Sequence, residues 1–189
     1  MEFHRRSIRL KEYDYSSYGW YFVTICAQDR ELYFGNVENG CLKLSKFGEI
    51  AQKYLLQIPE HFQNTEIDEY IVMPNHIHAV IIIENDNSVG VIHELPLQNG
   101  LIQQSPEQWR EWFKQRRQML LPKIIGWFKM NSAKQINILL NQSGIPLWQR
   151  NYYERIIRNN KELNRIRQYI ISNPDNWETD RNNPKNFNL

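Results

Sequence analysis

The stretch Ile67-Asp68-Glu69-Tyr70-Ile71-Val72-Met73, the break Pro74-Asn75, and the run His76-Ile77-His78-Ala79-Val80-Ile81-Ile82-Ile83 read as two strands joined by a tight turn. β-Branched and aromatic residues dominate both halves, and so short a break is most simply spanned by an antiparallel hairpin. The second half is apolar on both faces from Ala79 onward, which predicts a central, rigid strand. Side chains alternate along a strand, so His76 and His78 share one face while Ile77 points to the other, into the core. Two residues apart, the histidines rise by about 6.6–6.8 Å, and their rings can lean together onto one ion. Taken alone, a His-x-His pair of this kind also serves simply to satisfy hydrogen bonds at a strand end.

Outward from this hairpin, Tyr18 to Ala27 (YGWYFVTICA) predicts an earlier strand. Gln28 to Gly40 reads as turns, with Gly35 and the pair Asn39-Gly40. Ser45 caps a helix running through Gln57, with Ile50, Tyr54 and Leu55 as its apolar face. Downstream, Met119 to Leu140 reads as a helix with Pro122 in its first turn and a candidate break near Asn131-Ser132. Leu147 to Arg158 reads as a fourth strand. Asn160 caps a last helix, Lys161 to Ser172, that ends before Pro174. The order strand, helix, strand, strand, helix, strand, helix begins with the split βαβ pattern of α+β, ferredoxin-like folds. Residues 1–17 are expected to form an N-terminal arm, 18–177 one domain with an insertion at 85–118, and 178–189 a C-terminal tail.

The last helix carries the chemistry that the histidines lack. Leu163, Ile166 and Ile170 form its packing stripe. Beside it Arg165, Tyr169 and Asn173 fall four residues apart on one face. A tyrosine can attack phosphorus, an amide oxygen can ligate a metal, and a guanidinium can hold a phosphate oxygen. The ordinary roles of such residues are a half-buried tyrosine, a helix C-cap and a surface charge.

Charge is uneven. The first hundred residues carry 8 Lys and Arg against 14 Asp and Glu, and the remainder 15 against 7, within a net charge of +2. A basic half on a nearly neutral chain suits a polyanionic partner. Lys123, Lys129 and Lys134 on the fifth element, and Arg150, Arg155 and Arg158 on the sixth, are candidate phosphate contacts, with Arg165 beside them. In the insertion, Trp109, Trp112 and Phe113 fall at helical spacing among basic residues. They suit either a small core or the stacking of unpaired bases. Cys26 and Cys41 lack metal or disulfide spacing and read as reduced thiols. No apolar run reaches the roughly 18 residues of a membrane span, and the N-terminus lacks the apolar segment of a secretory signal. Both observations point to a cytoplasmic protein.

Val72-Met73-Pro74-Asn75-His76-Ile77-His78 resembles the His-hydrophobic-His (HUH) motif of single-tyrosine transposases. Trp148-Gln149-Arg150-Asn151-Tyr152-Tyr153-Glu154-Arg155-Ile156-Ile157-Arg158, with Tyr169-Ile170-Ile171-Ser172-Asn173-Pro174, resembles the REP-associated tyrosine transposase group. Arg6-Ser7-Ile8-Arg9-Leu10-Lys11 and Tyr21-Phe22-Val23-Thr24-Ile25 fit the same group, so that the resemblance spans most of residues 5–177. It implies an antiparallel sheet of four to five strands with packed helices and the nucleophile on a C-terminal helix. It maps the metal ligands to His76, His78 and Asn173 and the nucleophile to Tyr169. It further implies Mg²⁺ or Mn²⁺, a single-stranded or hairpin DNA substrate, and a 5′-phosphotyrosine intermediate in cutting and joining. Many related transposases carry Gln where this chain has Asn173, and some are homodimers that share the nucleophile helix in trans. Two other readings stay open on the residues. One is a domesticated hairpin-DNA-binding protein without transposition. The other is a metal-dependent hydrolase of small phosphoesters.

Overall fold

The computed structural model describes residues 13–84, 114 and 118–186. The predicted insertion tryptophans, most of the predicted arm and the Arg6–Lys11 stretch lie outside the described residues. Four strands form the main sheet: β1 (Gly19–Cys26), β4 (Thr65–Met73), β5 (His76–Ile83) and β6 (Tyr153–Ile157). Their order is β4-β5-β1-β6 and every pairing is antiparallel. A small hairpin, β2 (Gly35–Glu38) and β3 (Cys41–Leu44), precedes helix α1 (Lys46–Leu56) and the short α2 (Ile58–His61). Helix α3 (Leu120–Leu139) connects β5 to β6, and α4 (Asn160–Ile171) follows β6.

The topology is the split βαβ arrangement expected from the element order. Strand β5 lies between β1 and β4, which α1 links, and β1 lies between β5 and β6, which α3 links. The apolar run of β5 has its physical reason here. The strand is paired on both edges and covered on both faces, so all but one of its eight residues are buried. One layer packs α1 and α3 on the sheet through Tyr21, Val23, Ile25, Ile77 and Ile81, meeting Leu121, Ile124 and Phe128. The opposite layer packs Leu163, Ile166 and Ile170 of α4 on Phe22, Val80 and Ile157. Each such aliphatic side chain contributes about 1.5–3 kcal/mol on burial, which anchors the helix bearing Tyr169.

Two ends of elements differ from the sequence reading. The hairpin β2–β3 lies partly in the stretch read as turns. Its strands are four residues each, and Gly35-Asn36-Val37-Glu38 has little β-forming content. The informative residues are Asn39 and Gly40, both at positive φ (52° and 74°), as a two-residue hairpin turn requires. Strand β6 is also shorter than Leu147 to Arg158. Trp148 makes only an isolated bridge to Ala27 before the chain leaves the sheet. Its ring drives into the core instead, stacked on Phe34 at 4.7 Å, with Nε1 donating to Ser132 Oγ at 3.0 Å. Lys129 Nζ then donates to the carbonyls of Gln149 and Asn151, which hold this detour in place.

Helix α4 is tied to the sheet edge as well as packed on it. Arg167 Nε donates to Asp68 Oδ2 of β4 at 2.8 Å, and Nη2 bonds the second carboxylate oxygen. The geometry is bidentate, yet the guanidinium is a third exposed. Asp68→Ala is therefore expected to lower stability by no more than about 1 kcal/mol in urea unfolding.

Candidate active site

His76 opens β5 just after the turn, and His78 follows on the same face, toward α4. Both are buried, at 0% and 2% exposure. Their rings lean together as the strand spacing allows, with centroids 4.5 Å apart and the two Nε2 atoms 3.1 Å apart. Each ring is held through its other nitrogen. Thr24 faces His78 across the β1–β5 ladder and its Oγ1 lies 2.8 Å from His78 Nδ1. Asn75 Oδ1 lies 2.9 Å from His76 Nδ1. The Asn75 amide nitrogen donates to the carbonyls of Arg30 (3.1 Å) and Asn182 (2.7 Å), which fixes which end is oxygen. His76 Nδ1 must then carry the proton, leaving a lone pair on Nε2. Phe22 stacks on His78 at 5.3 Å and closes that side.

Burial, the dominant cause, keeps both imidazoles neutral. His76 is held well below the ordinary histidine range, with His78, Arg30 and Arg181 adding to the effect. His78 is pushed down to about 3, by burial first and then by Arg181. An unfolded histidine titrates near 6.5. Between those two values the unfolded chain binds a proton that the folded chain refuses. Stability is thus complete above about pH 6.5 and declines as the pH falls toward 3. Metal-free protein is expected to lose about 2 kcal/mol from His78 alone between pH 7 and pH 5. Urea midpoints across this range would measure the loss, and His78→Gln should flatten the slope.

Helix α4 supplies the facing wall. Asn159, one residue before the predicted cap, accepts from Glu162 N at 2.9 Å and starts the helix. The apolar stripe turns Tyr169 to the edge of the helix–sheet interface, where its ring stays 43% exposed. Its hydroxyl lies 3.3 Å from His78 Nε2, and its ring stands edge-on to Phe22. The histidines and the tyrosine meet within one chain. Burial raises the Tyr169 phenol above its ordinary value, and Asp180 adds to this. A hydrogen bond from Asn173 and the charge of Arg181 oppose them. One turn beyond, Asn173 is 2% exposed and its Oδ1 has no hydrogen-bond partner among the described residues. A buried amide oxygen without a partner costs about 1–3 kcal/mol, and such atoms concentrate where a ligand completes them.

The donor set fits a divalent cation. Ligands at about 2.1 Å on adjacent vertices of an octahedron lie about 3.0 Å apart, close to the separation of the two Nε2 atoms. Asn75 and Thr24 are the outer partners that orient such ligands.

The predicted basic residues divide by location. Arg155 and Arg165 line a cavity of about 600 Å³ together with His78, Tyr169 and Asn173. Arg158 lines an adjoining groove with both of them. Glu162 pairs with Arg155 at 2.6 Å and approaches Arg165 at 3.9 Å. Arg150 is exposed and lines neither space. Lys123, Lys129 and Lys134 ride on α3, across the sheet from Tyr169, and Lys129 is engaged by backbone carbonyls. Two further tyrosines, Tyr152 and Tyr153, are candidate nucleophiles besides Tyr169; Tyr152 packs in the α3 layer and Tyr153 in the α4 layer.

Sequence reasoning missed Asp180 and Arg181, which lie in the predicted tail. Just before that tail Trp177 is buried, its ring 6.1 Å from that of His76. The short 3₁₀ turn Trp177–Thr179 then brings Asp180 to the histidines. One ligand atom each from His76, His78 and Asp180 lie within 4.8 Å of one another. A lone tryptophan in a polar segment was the available signal. Among the described residues no helix is long and apolar enough to cross a membrane.

No protein-family model matches this chain. It is 37% identical over 178 residues to an uncharacterized protein of Haemophilus influenzae, a match covering 94% of this chain and 92% of that one. It is 25% identical over 161 residues to a "Putative REP-associated tyrosine transposase" of the same organism, covering 85% and 73% respectively. Among solved structures it is similar to a REP-associated tyrosine transposase bound to a REP hairpin. That match has a TM-score of 0.45 and 17% identity, covering 93% of this chain and 73% of that one.

Proposed function

We propose, for a chain that belongs to one family with its 37%-identical Haemophilus influenzae relative and is related in sequence to the REP-associated tyrosine transposases, that it cuts and rejoins single-stranded DNA through Tyr169. The observation that carries this reading is the approach of the Tyr169 hydroxyl to His78 Nε2 at 3.3 Å, with the orphaned Asn173 oxygen one helical turn away. His76, His78 and Asn173 would hold Mg²⁺ or Mn²⁺. A divalent ion there, when bound, supplies polarisation of the scissile phosphate and a counter-charge to its oxygens.

The chain's own residues do the rest. Tyr169 Oη forms a bond to phosphorus and the P–O3′ bond breaks, leaving a 5′-phosphotyrosine and a free 3′-hydroxyl. The phenolic proton is lost from Oη and one proton is gained at O3′, so the step is balanced. The phosphodiester is exchanged rather than hydrolysed, and a second 3′-hydroxyl can reverse the exchange. Arg155 and Arg165 would bind the phosphates on either side of the scissile bond in the cavity beside Tyr169. Partial exposure of the Tyr169 ring leaves a path for a DNA strand to reach it, while Phe22 holds the ring edge-on. The substrate class proposed is hairpin or other single-stranded DNA; the structurally similar transposase is described as bound to a REP hairpin. Incubation of a labelled single-stranded hairpin with the full chain and Mn²⁺ should yield a protein–DNA adduct that survives denaturation. Hairpin binding with no adduct under any divalent metal would instead support a domesticated binding protein.

A further inference from the structure

We propose that Asp180 is an additional, anionic ligand of the cation held by His76 and His78, so that the segment after α4 is part of the metal centre. This rests on the metal reading above. The first observation is proximity: donor atoms of His76, His78 and Asp180 share a space less than 4.8 Å across. The second is how Asp180 is held there. Trp177 is buried beside the His76 ring, and Asn182 and Asn183 are buried at 5% and 3% exposure. Asn183 Nδ2 donates to the Trp177 carbonyl at 3.0 Å, which closes the segment on itself. Arg30 Nη1 donates to Asn182 Oδ1 at 2.7 Å, and Asn75 Nδ2 donates to the Asn182 carbonyl. Asn75 is also the residue that orients His76. One amide therefore fixes the imidazole and the Asp180 strap against each other, which is how an outer partner serves a metal site.

The third observation concerns charge. His76, His78 and Asn173 are neutral donors, while Arg30 is bonded to Asn182 of the same segment and Arg181 lines the cavity with His78 and Asn173. A dication among neutral ligands and two guanidiniums is repelled at short range. Asp180 is the carboxylate placed to offset this. A hard oxygen anion also biases the site toward Mg²⁺ and Mn²⁺, which imidazole alone does not favour.

The test uses the full chain and Mn²⁺ alone, with affinity read by isothermal titration calorimetry and by the electron paramagnetic resonance signal of free Mn²⁺. Asp180→Asn keeps an oxygen that can accept from Asn182 N, as Asp180 Oδ1 does, so the strap should stay folded. Its metal-free thermal midpoint should match that of wild type. Its Mn²⁺ affinity should fall by about tenfold or more, the scale that loss of even an outer partner costs. Arg181→Ala should move affinity the other way. Wild-type affinity in Asp180→Asn, with binding lost in His78→Ala, would overturn the role of Asp180 and leave the histidine site standing. Absence of Mn²⁺ binding by the wild-type chain would overturn the metal reading and this inference with it.

Discussion

Tyr169→Phe is expected to form no covalent adduct with single-stranded hairpin DNA in the presence of Mn²⁺, under conditions in which the wild-type chain accumulates one. The substitution removes only the phenolic oxygen proposed as the nucleophile. The ring that stands against Phe22 and His78 remains, and because the tyrosine is 43% exposed little burial changes. Stability should change by no more than about 1 kcal/mol, the scale of the one part-exposed hydrogen-bonding group lost. Adduct formation, followed by the shift of labelled DNA on a denaturing gel, should fall by about 10⁴-fold or more, the scale on which enzymes lose rate when a nucleophile is removed. Hairpin binding should survive, because the candidate phosphate contacts Arg155 and Arg165 are untouched. The two effects are separable, and only their combination identifies a nucleophile rather than a structural tyrosine.

The second large effect belongs to the histidines. The double substitution His76→Ala, His78→Ala should abolish measurable Mn²⁺ binding by calorimetry, a loss of about 100-fold or more in affinity. Adduct formation should vanish with it. This variant also carries a stability cost, since Thr24 Oγ1 and Asn75 Oδ1 each lose a buried partner. Each such orphan costs about 1–3 kcal/mol, so folding should be checked by circular dichroism before binding is compared. At pH 5 the penalty should shrink, because the wild-type chain then also suffers from refusing protons that its unfolded state accepts.

Much of the fold was legible because β5 carries its own diagnosis. A strand apolar on both faces must be central, and a His-x-His pair at its start must present both rings to one side. The apolar stripe of α4 likewise dictated which face it buries, and Tyr169 and Asn173 followed from their four-residue spacing. What escaped reading was of a different kind. The β2–β3 hairpin is too short to show a period, and only its Asn39-Gly40 turn declares it. Trp148 has strand-forming chemistry, but a partner in Ser132 drew its ring out of the sheet pattern and into the core. Lys129 looks like a phosphate contact by charge and is a backbone staple by geometry. Asp180 reaches the histidines because three asparagines, Asn75, Asn182 and Asn183, pin a polar segment. The Asn75–Asn182 contact joins residues 107 positions apart and leaves no local period.

The central claim is that one particular tyrosine attacks phosphorus, and trypsin separates the candidates. Cleavage after Arg150 and Arg155 releases Tyr152 and Tyr153 on the peptide Asn151–Arg155, whereas Tyr169 lies on the peptide Gln168–Arg181. Tandem mass spectrometry of the nuclease-trimmed adduct formed with a hairpin oligonucleotide and Mn²⁺ should find the nucleotide mass on Tyr169 of Gln168–Arg181. A nucleotide carried by Asn151–Arg155, with Gln168–Arg181 unmodified, would contradict the account.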